Sequence, residues 1–175
     1  MQLFFIDIET TNFKPSAEGR IIEIACIEMQ DGKLTGREFH QLLNPEHSIP
    51  DAFAEIIGID DEMVAGKPTF SDIAPYLVDF IGNGKLVGHG ADFEREFIEH
   101  ELYLIGLDSP HLADPESWID TLACFKERHP ENRCTLDAAC EMYGLDITNN
   151  QTSLANTLQE ARKLAAFWQK FHNPQ

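Results

Sequence analysis

Basic residues are scarce in this chain: thirteen Lys plus Arg stand against thirty Asp plus Glu in 175 residues, for a formal charge of −17. Lys and Arg supply non-specific nucleic-acid affinity by neutralising phosphates. The balance therefore excludes a free-standing module that grips a polynucleotide through a broad basic face. A nucleic-acid ligand would have to be held locally, through metal ions and a few contacts at a chain end, or be presented by a partner. The plainer reading is that the acidity serves solubility. No apolar run approaches the roughly 18 residues of a membrane span. No basic-then-apolar leader precedes the first strand-like segment, so the expectation is a cytoplasmic protein with no membrane partner. The four cysteines (Cys26, Cys124, Cys134, Cys140) contain no CxxC pair, which excludes the usual zinc and redox frameworks and leaves them reduced and structural. Internal repeats, low-complexity tracts and linker-like stretches are missing too. One domain spanning 1–175 is expected, large enough to bury a core without disulfides or structural metal.

What is present is a succession of strand and helix patterns. Residues 2–8 (QLFFIDI) are apolar on both faces, as in a central buried strand. Residues 20–29 and 34–43 read as two further strands joined by a hairpin turn at Asp31-Gly32. Short helices follow near 51–57 and 71–82, then a strand at 85–89 that runs straight into a helix near 92–104. A short strand lies near 117–120, with helices near 120–128, 135–143 and 153–171, the last stopped by Pro174. Three meandering strands followed by alternating strands and helices predict an α/β fold with a mixed sheet.

Asp7 and Glu9 are the sharpest chemical signal. Side chains alternate along a strand, so Leu3, Phe5, Asp7 and Glu9 share one face and Phe4, Ile6 and Ile8 the other. Two carboxylates together at the end of a buried strand repel and lose hydration, a cost that a hard cation such as Mg²⁺ or Mn²⁺ offsets. A strand end emerging into solvent would carry them harmlessly. In the segment His89-Gly-Ala-Asp-Phe-Glu94, Glu94 precedes Phe97 and Ile98 by three and four residues. It therefore faces inward with the stripe Phe97, Ile98, Leu102 and Ile105. Asp92 falls with Arg95, Glu96 and Glu99 on the wet side, placed to cap the helix. Glu94 is thus the ligand candidate, against a plain role as a first-turn acid complementing the helix dipole. In the last helix Leu154, Leu158, Ala161, Ala165 and Trp168 form the core stripe. Glu160 adjoins it, where a solvated glutamate would be ordinary.

Taken in order, the segments FIDIETTNF, GRIIEIACIEM, LLNPEHSIP, GIDDEMVAGKPTF, LVGHGADFEREFIEHEL, WIDTLACF and CTLDAACEMYGLD resemble the DEDD exonuclease superfamily, in particular its DnaQ-like proofreading branch, over roughly residues 3–168. The resemblance implies a ribonuclease-H-like fold: a mixed central sheet with an antiparallel three-strand meander, flanked by helices. It implies removal of nucleotides from the 3′ end of single-stranded DNA or RNA, and a polymerase subunit as partner. It also implies two Mg²⁺ or Mn²⁺ ions held by four acids, which fall by motif on Asp7, Glu9, Glu94 and Glu160. Asp7 would bridge both ions, Glu9 and Glu160 would complete one site, and Glu94 would support the second. Thr10, Phe13, Ile57 and Phe93 would line the terminal-nucleotide pocket. The chain departs from the family pattern at Glu94 and Glu160, where aspartates are usual, and at Ile57, where a V-H-G-I-T segment carries histidine. It also departs at Ala155, which replaces the family's water-activating histidine, while Asn156 stands where a second branch has tyrosine. Loss of a general base lowers turnover about 10²–10⁴-fold, and ångström-scale misplacement of a group about 10²-fold. Reduced activity is therefore expected. The alternative is a catalytically weak pseudo-nuclease serving as a nucleic-acid- or protein-binding module.

Overall fold

The computed structural model describes residues 1–146 and 157–173. Strands β1 (Gln2–Thr10), β2 (Ile21–Gln30), β3 (Lys33–Leu42), β4 (Lys85–Gly88) and β5 (Trp118–Asp120) form one sheet in the order β3-β2-β1-β4-β5. The β1–β2 and β2–β3 pairs are antiparallel, and β1–β4 and β4–β5 are parallel. The sheet is therefore mixed, with the expected three-strand meander on one side. Helices α1 (Asp51–Ile57), α2 (Asp61–Val64) and α3 (Phe70–Ile81) lie between β3 and β4. Helices α4 (Asp92–Ile105) and α5 (Pro110–Ala113) lie between β4 and β5. Helices α6 (Thr121–Arg128), α7 (Leu136–Met142) and α8 (Thr157–His172) follow β5.

The apolar pattern of β1 explains its central place. Phe4, Ile6 and Ile8 join Phe70 and Leu77 of α3 and Phe97, Ile98 and Leu102 of α4 in one core layer. Leu3 and Phe5 join Phe125 of α6, Cys140 of α7 and Ala161, Leu164 and Phe167 of α8 in the other. Burial of this kind contributes about 25 cal/mol per Å² of apolar surface, and β1 collects it on both faces. The β2–β3 turn uses Asp31 at φ 50° and Gly32 at φ 80°, the two left-handed residues that match a tight turn to the strands' right-handed twist. Helix α4 stops at Gly106, φ 66°, where the Leu107 N–H reaches back to the Leu102 carbonyl at 3.0 Å, a glycine-terminated C-cap.

Two further ties fix α4 relative to the sheet. The fully buried Glu101 accepts from Arg20 Nε and Nη2, each at 2.9 Å, and from the Ile21 N–H at 3.0 Å. Arg20 also exchanges backbone and side-chain bonds with Thr11, just past the end of β1. The helix that carries Glu94 is thus bound to the strand ends that carry Asp7 and Glu9.

Some expectations need correction. Helices α2 and α5 and the 3₁₀ turns at 15–17 and 115–117 are not foreseen. Pieces of three or four residues are too short to show a period. Asp92 does not cap α4: the cap position is Ala91, with no side-chain bond, and Asp92 pairs with Arg95 at 3.1 Å on the wet side. The start of the last helix, expected at 153, lies outside the described residues, as do Leu154, Ala155 and Asn156.

Candidate active site

Because β1 and β4 run parallel, their carboxyl ends open at the same edge of the sheet, the usual place for a site in α/β proteins. Asp7 and Glu9 project from β1 on the α8 face, as their alternation requires. Cross-strand pairing sets Glu23 of β2 directly opposite Glu9, and Glu23 is buried. Its carboxylate bonds His40 Nε2 at 2.7 Å and accepts from the Thr157 N–H, in the first turn of α8, at 3.4 Å. Glu94 enters from the first turn of α4 and is also buried. Its Oε2 has no hydrogen-bond partner. A Cβ at position 88 would come within 3.1 Å of that oxygen, so the glycine that ends β4 leaves the room Glu94 occupies.

Crowding of acids shows in their protonation. Burial first, then the charges of Glu94, Glu9, Glu160 and Glu23, push Asp7 well above the usual carboxylate range. Burial, Glu23 and Glu160 push Glu9 up to about 7. Burial pushes Glu94 up to about 8, partly opposed by its own N–H and reinforced by Asp120 and Asp92. Hard oxygen donors in this number, one of them buried without a partner, fit a divalent cation such as Mg²⁺ or Mn²⁺. Among the described residues no three side chains yet close into a ligand shell. Glu160, in the first turn of α8, is turned onto Lys163 Nζ at 2.5 Å, and Lys163 also holds Asp137 at 2.6 Å. His89 is no proton carrier here. Its Nδ1 engages Thr121 Oγ1 at 2.9 Å and its Nε2 the Cys134 carbonyl at 2.7 Å, and burial lowers its pKa.

The exonuclease family model named for RNase T matches residues 4–154. The chain belongs to the DnaQ-like, DEDD exonuclease family. DNA polymerase III subunit epsilon of Rickettsia felis is 38% identical over 160 residues, covering 91% of this chain and 69% of that protein. The same subunit of Escherichia coli K12 is 36% identical over 165 residues, covering 91% and 67%. The nuclease domain of 3′hExo, a DEDDh family member solved with rAMP, superposes with a TM-score of 0.80 at 18% identity, covering 98% of this chain and 92% of that one. That likeness concerns the fold, which is ribonuclease-H-like.

Of the four expected acids, Glu9 of β1, Glu94 of α4 and Glu160 of α8 all act by charge on Asp7. Of the expected nucleotide-pocket residues, Phe13 is 71% exposed with its ring 4.9 Å from that of Phe53, and Phe93 is 37% exposed against Phe97 at 5.0 Å. Thr10 is buried, its hydroxyl donating to the Asn12 carbonyl at 2.7 Å. Ile57 does not line an open pocket. It packs inward with Ile22, Ile49, Ile59 and Val64, and Ile56, one residue earlier on α1, is the exposed side chain at 74%. Neighbouring helix positions differ by about 100° around the axis, so Ile56 and Ile57 meet different surroundings. Three groups around the site escape sequence reading. Asp120 accepts from the Gly90 and Leu122 N–H groups and so fixes the turn before α4. Lys163 and Glu23 are the others. For Glu23 a signal existed, an acid inside the apolar run Ile21-Ile22-Glu23-Ile24-Ala25.

Proposed function

We propose that the chain is a divalent-cation-dependent 3′–5′ exonuclease acting on the end of a single DNA or RNA strand, with Asp7, Glu9, Glu94 and Glu160 as its acids. The observation that carries this reading is the buried Glu94 carboxylate, whose Oε2 has no hydrogen-bond partner, set against the Asp7–Glu9 pair at the open edge of the sheet. The reading takes two Mg²⁺ or Mn²⁺ ions: Asp7 serves both, Glu9 and Glu160 hold one, Glu94 supports the other. Bound there, the ions supply positive charge against the phosphate and the leaving oxygen. Phe13 and Phe93 offer aromatic faces at the site's rim for a terminal base, a contact worth about 1–3 kcal/mol per base. Thr10, bonded to the Asn12 carbonyl, stiffens the turn that presents Phe13. The epsilon relatives favour a polymerase as partner, and a charge of −17 favours a substrate delivered by that partner over one captured alone.

A second reading, a catalytically weak binding module, draws support from Ala155 at the family's histidine position and from the engagement of Glu160 by Lys163. One assay separates the two. Labelled single-stranded DNA and RNA are incubated with the protein in Mn²⁺ or in EDTA, alongside Asp7→Asn. Laddering from the 3′ end in Mn²⁺ alone, lost in Asp7→Asn, supports the enzyme. An intact strand under all conditions sinks it.

A further inference from the structure

One of the four candidate acids, Glu160, is bonded to a cation, Lys163. Lys163 stands one turn after Glu160 on α8 and faces inward beside the core residues Ala161 and Leu164. Its side chain is 9% exposed, against 59% for Asp137 and 39% for Glu160. The Lys163 stem is covered, and its ammonium is held by two carboxylates, Glu160 from its own helix and Asp137 from the first turn of α7. Glu160 is at the same time near enough for its charge to be felt at both Asp7 and Glu9. One carboxylate therefore belongs to two groups: the acid cluster at the strand ends, and the lysine pair between α7 and α8.

Resting on the cation-site reading above, we propose that Lys163 is a resident counter-ion of this site: it holds Glu160 toward α7, and Glu160 joins a divalent ion only by yielding its bond to Lys163, which falls back on Asp137. The arrangement has a sign. A fixed positive charge bonded to one of the site's carboxylates opposes loading, so Lys163 raises the cation concentration the site requires. Asp137 lowers that requirement, because it keeps Lys163 satisfied once Glu160 has left. A lysine that merely moored α8 would act the other way, since its loss would scatter Glu160 and weaken cation binding.

The test is calorimetric titration of the intact, metal-free chain with Mn²⁺, which reads binding without any turnover. Lys163→Met is expected to bind Mn²⁺ about tenfold more tightly or better, and Lys163→Arg within about threefold of the native chain, since a unit charge at this range outweighs changes of shape. Asp137→Asn should bind more weakly. The double variant Lys163→Met with Asp137→Asn should follow Lys163→Met, because Asp137 acts through the lysine. Circular dichroism checks folding. Should Lys163→Met not fold, Lys163→Gln, which also removes the charge, carries the same expectation. If the native chain binds Mn²⁺ and the neutral lysine variants bind it equally or more weakly, the counter-ion role is overturned while the site stands. If neither native nor variant binds at millimolar Mn²⁺, both the role and the cation-site reading fall.

Discussion

Glu94→Gln gives the most direct physical test of the site, because it exchanges a buried carboxyl for a neutral near-isostere. In the folded protein Glu94 titrates at about 8 rather than at the ordinary 4.5, with burial the largest cause. Between those values the folded chain keeps a proton that the unfolded chain has released. Stability contributed by the protonated form is fully present below pH 4.5 and is lost as pH rises toward 8, above which it changes no further. At about 1.4 kcal/mol per pH unit, the full window amounts to roughly 5 kcal/mol from this group, a large share of the 5–15 kcal/mol that holds a typical protein folded. In a chain of this length it corresponds to on the order of 10–20 °C in Tm. Urea unfolding in EDTA at pH 5, 6, 7 and 8 measures it. Native protein and Glu94→Gln should be nearly equal at pH 5, and the variant should be more stable by several kcal/mol at pH 8. The fall in the native curve should steepen further through Glu9, which titrates at about 7, and through Asp7. Millimolar Mn²⁺ at pH 8 should recover the native chain far more than the variant, since cation binding supplies the missing counter-charge. A difference between the two proteins that stays constant within about 1 kcal/mol from pH 5 to pH 8 would falsify the account of Glu94 as a buried acid poised for a cation.

Glu101→Ala should cost about 3–5 kcal/mol, because it leaves Arg20 and the Ile21 N–H facing an emptied, buried position; a loss under about 1 kcal/mol in urea unfolding would mean that α4 is held by its apolar face alone. The isolated chain should bind single strands weakly and with a shallow salt dependence, since few phosphates can be neutralised by thirteen Lys plus Arg among thirty acids; a steep slope in fluorescence anisotropy from 50 to 200 mM salt would reveal a basic groove. Ala155→His should raise 3′-end cleavage about tenfold or more, because a histidine with pKa near 6.5 suits proton abstraction at neutral pH. If only the triple variant with Glu94→Asp and Glu160→Asp responds, the longer acids are at fault. A triple variant that binds Mn²⁺ and still cuts nothing favours the binding module.

The elements legible in the sequence were those with a long or unambiguous pattern. β1 announces itself by five apolar residues among the seven of 2–8, the β2–β3 hairpin by Asp31-Gly32, and α4 and α8 by apolar stripes. Each of these depends on local chemistry that the fold repeats. Helices α2 and α5 show no such pattern: each has four residues, started by Asp60 accepting from the Met63 N–H and by Pro110 at the first helical position. Asp92 shows the limit of capping rules. It has the right residue type at the right distance, yet the chain enters α4 one residue early, at Ala91, and leaves Asp92 to Arg95.

The site was legible in the same uneven way, and the reason is physical. Strand alternation put Asp7 and Glu9 on one face, and a three-and-four spacing to Phe97 and Ile98 turned Glu94 inward. Both arguments use one element at a time. Glu23, Asp120 and Lys163 matter only through other elements: a cross-strand register with Glu9, a bond to the Gly90 N–H, and a salt bridge reaching from α8 to α7. Their contributions also differ in kind from those of the four acids. Glu23 adds a fifth carboxyl group opposite Glu9, whose pKa it raises, and thereby deepens the demand for a cation. Lys163 holds one of the four acids, Glu160. On the proposal above, these two residues act on cation loading with opposite sign, Glu23 favouring it and Lys163 opposing it. A family motif built from four carboxylates carries no information about either of them.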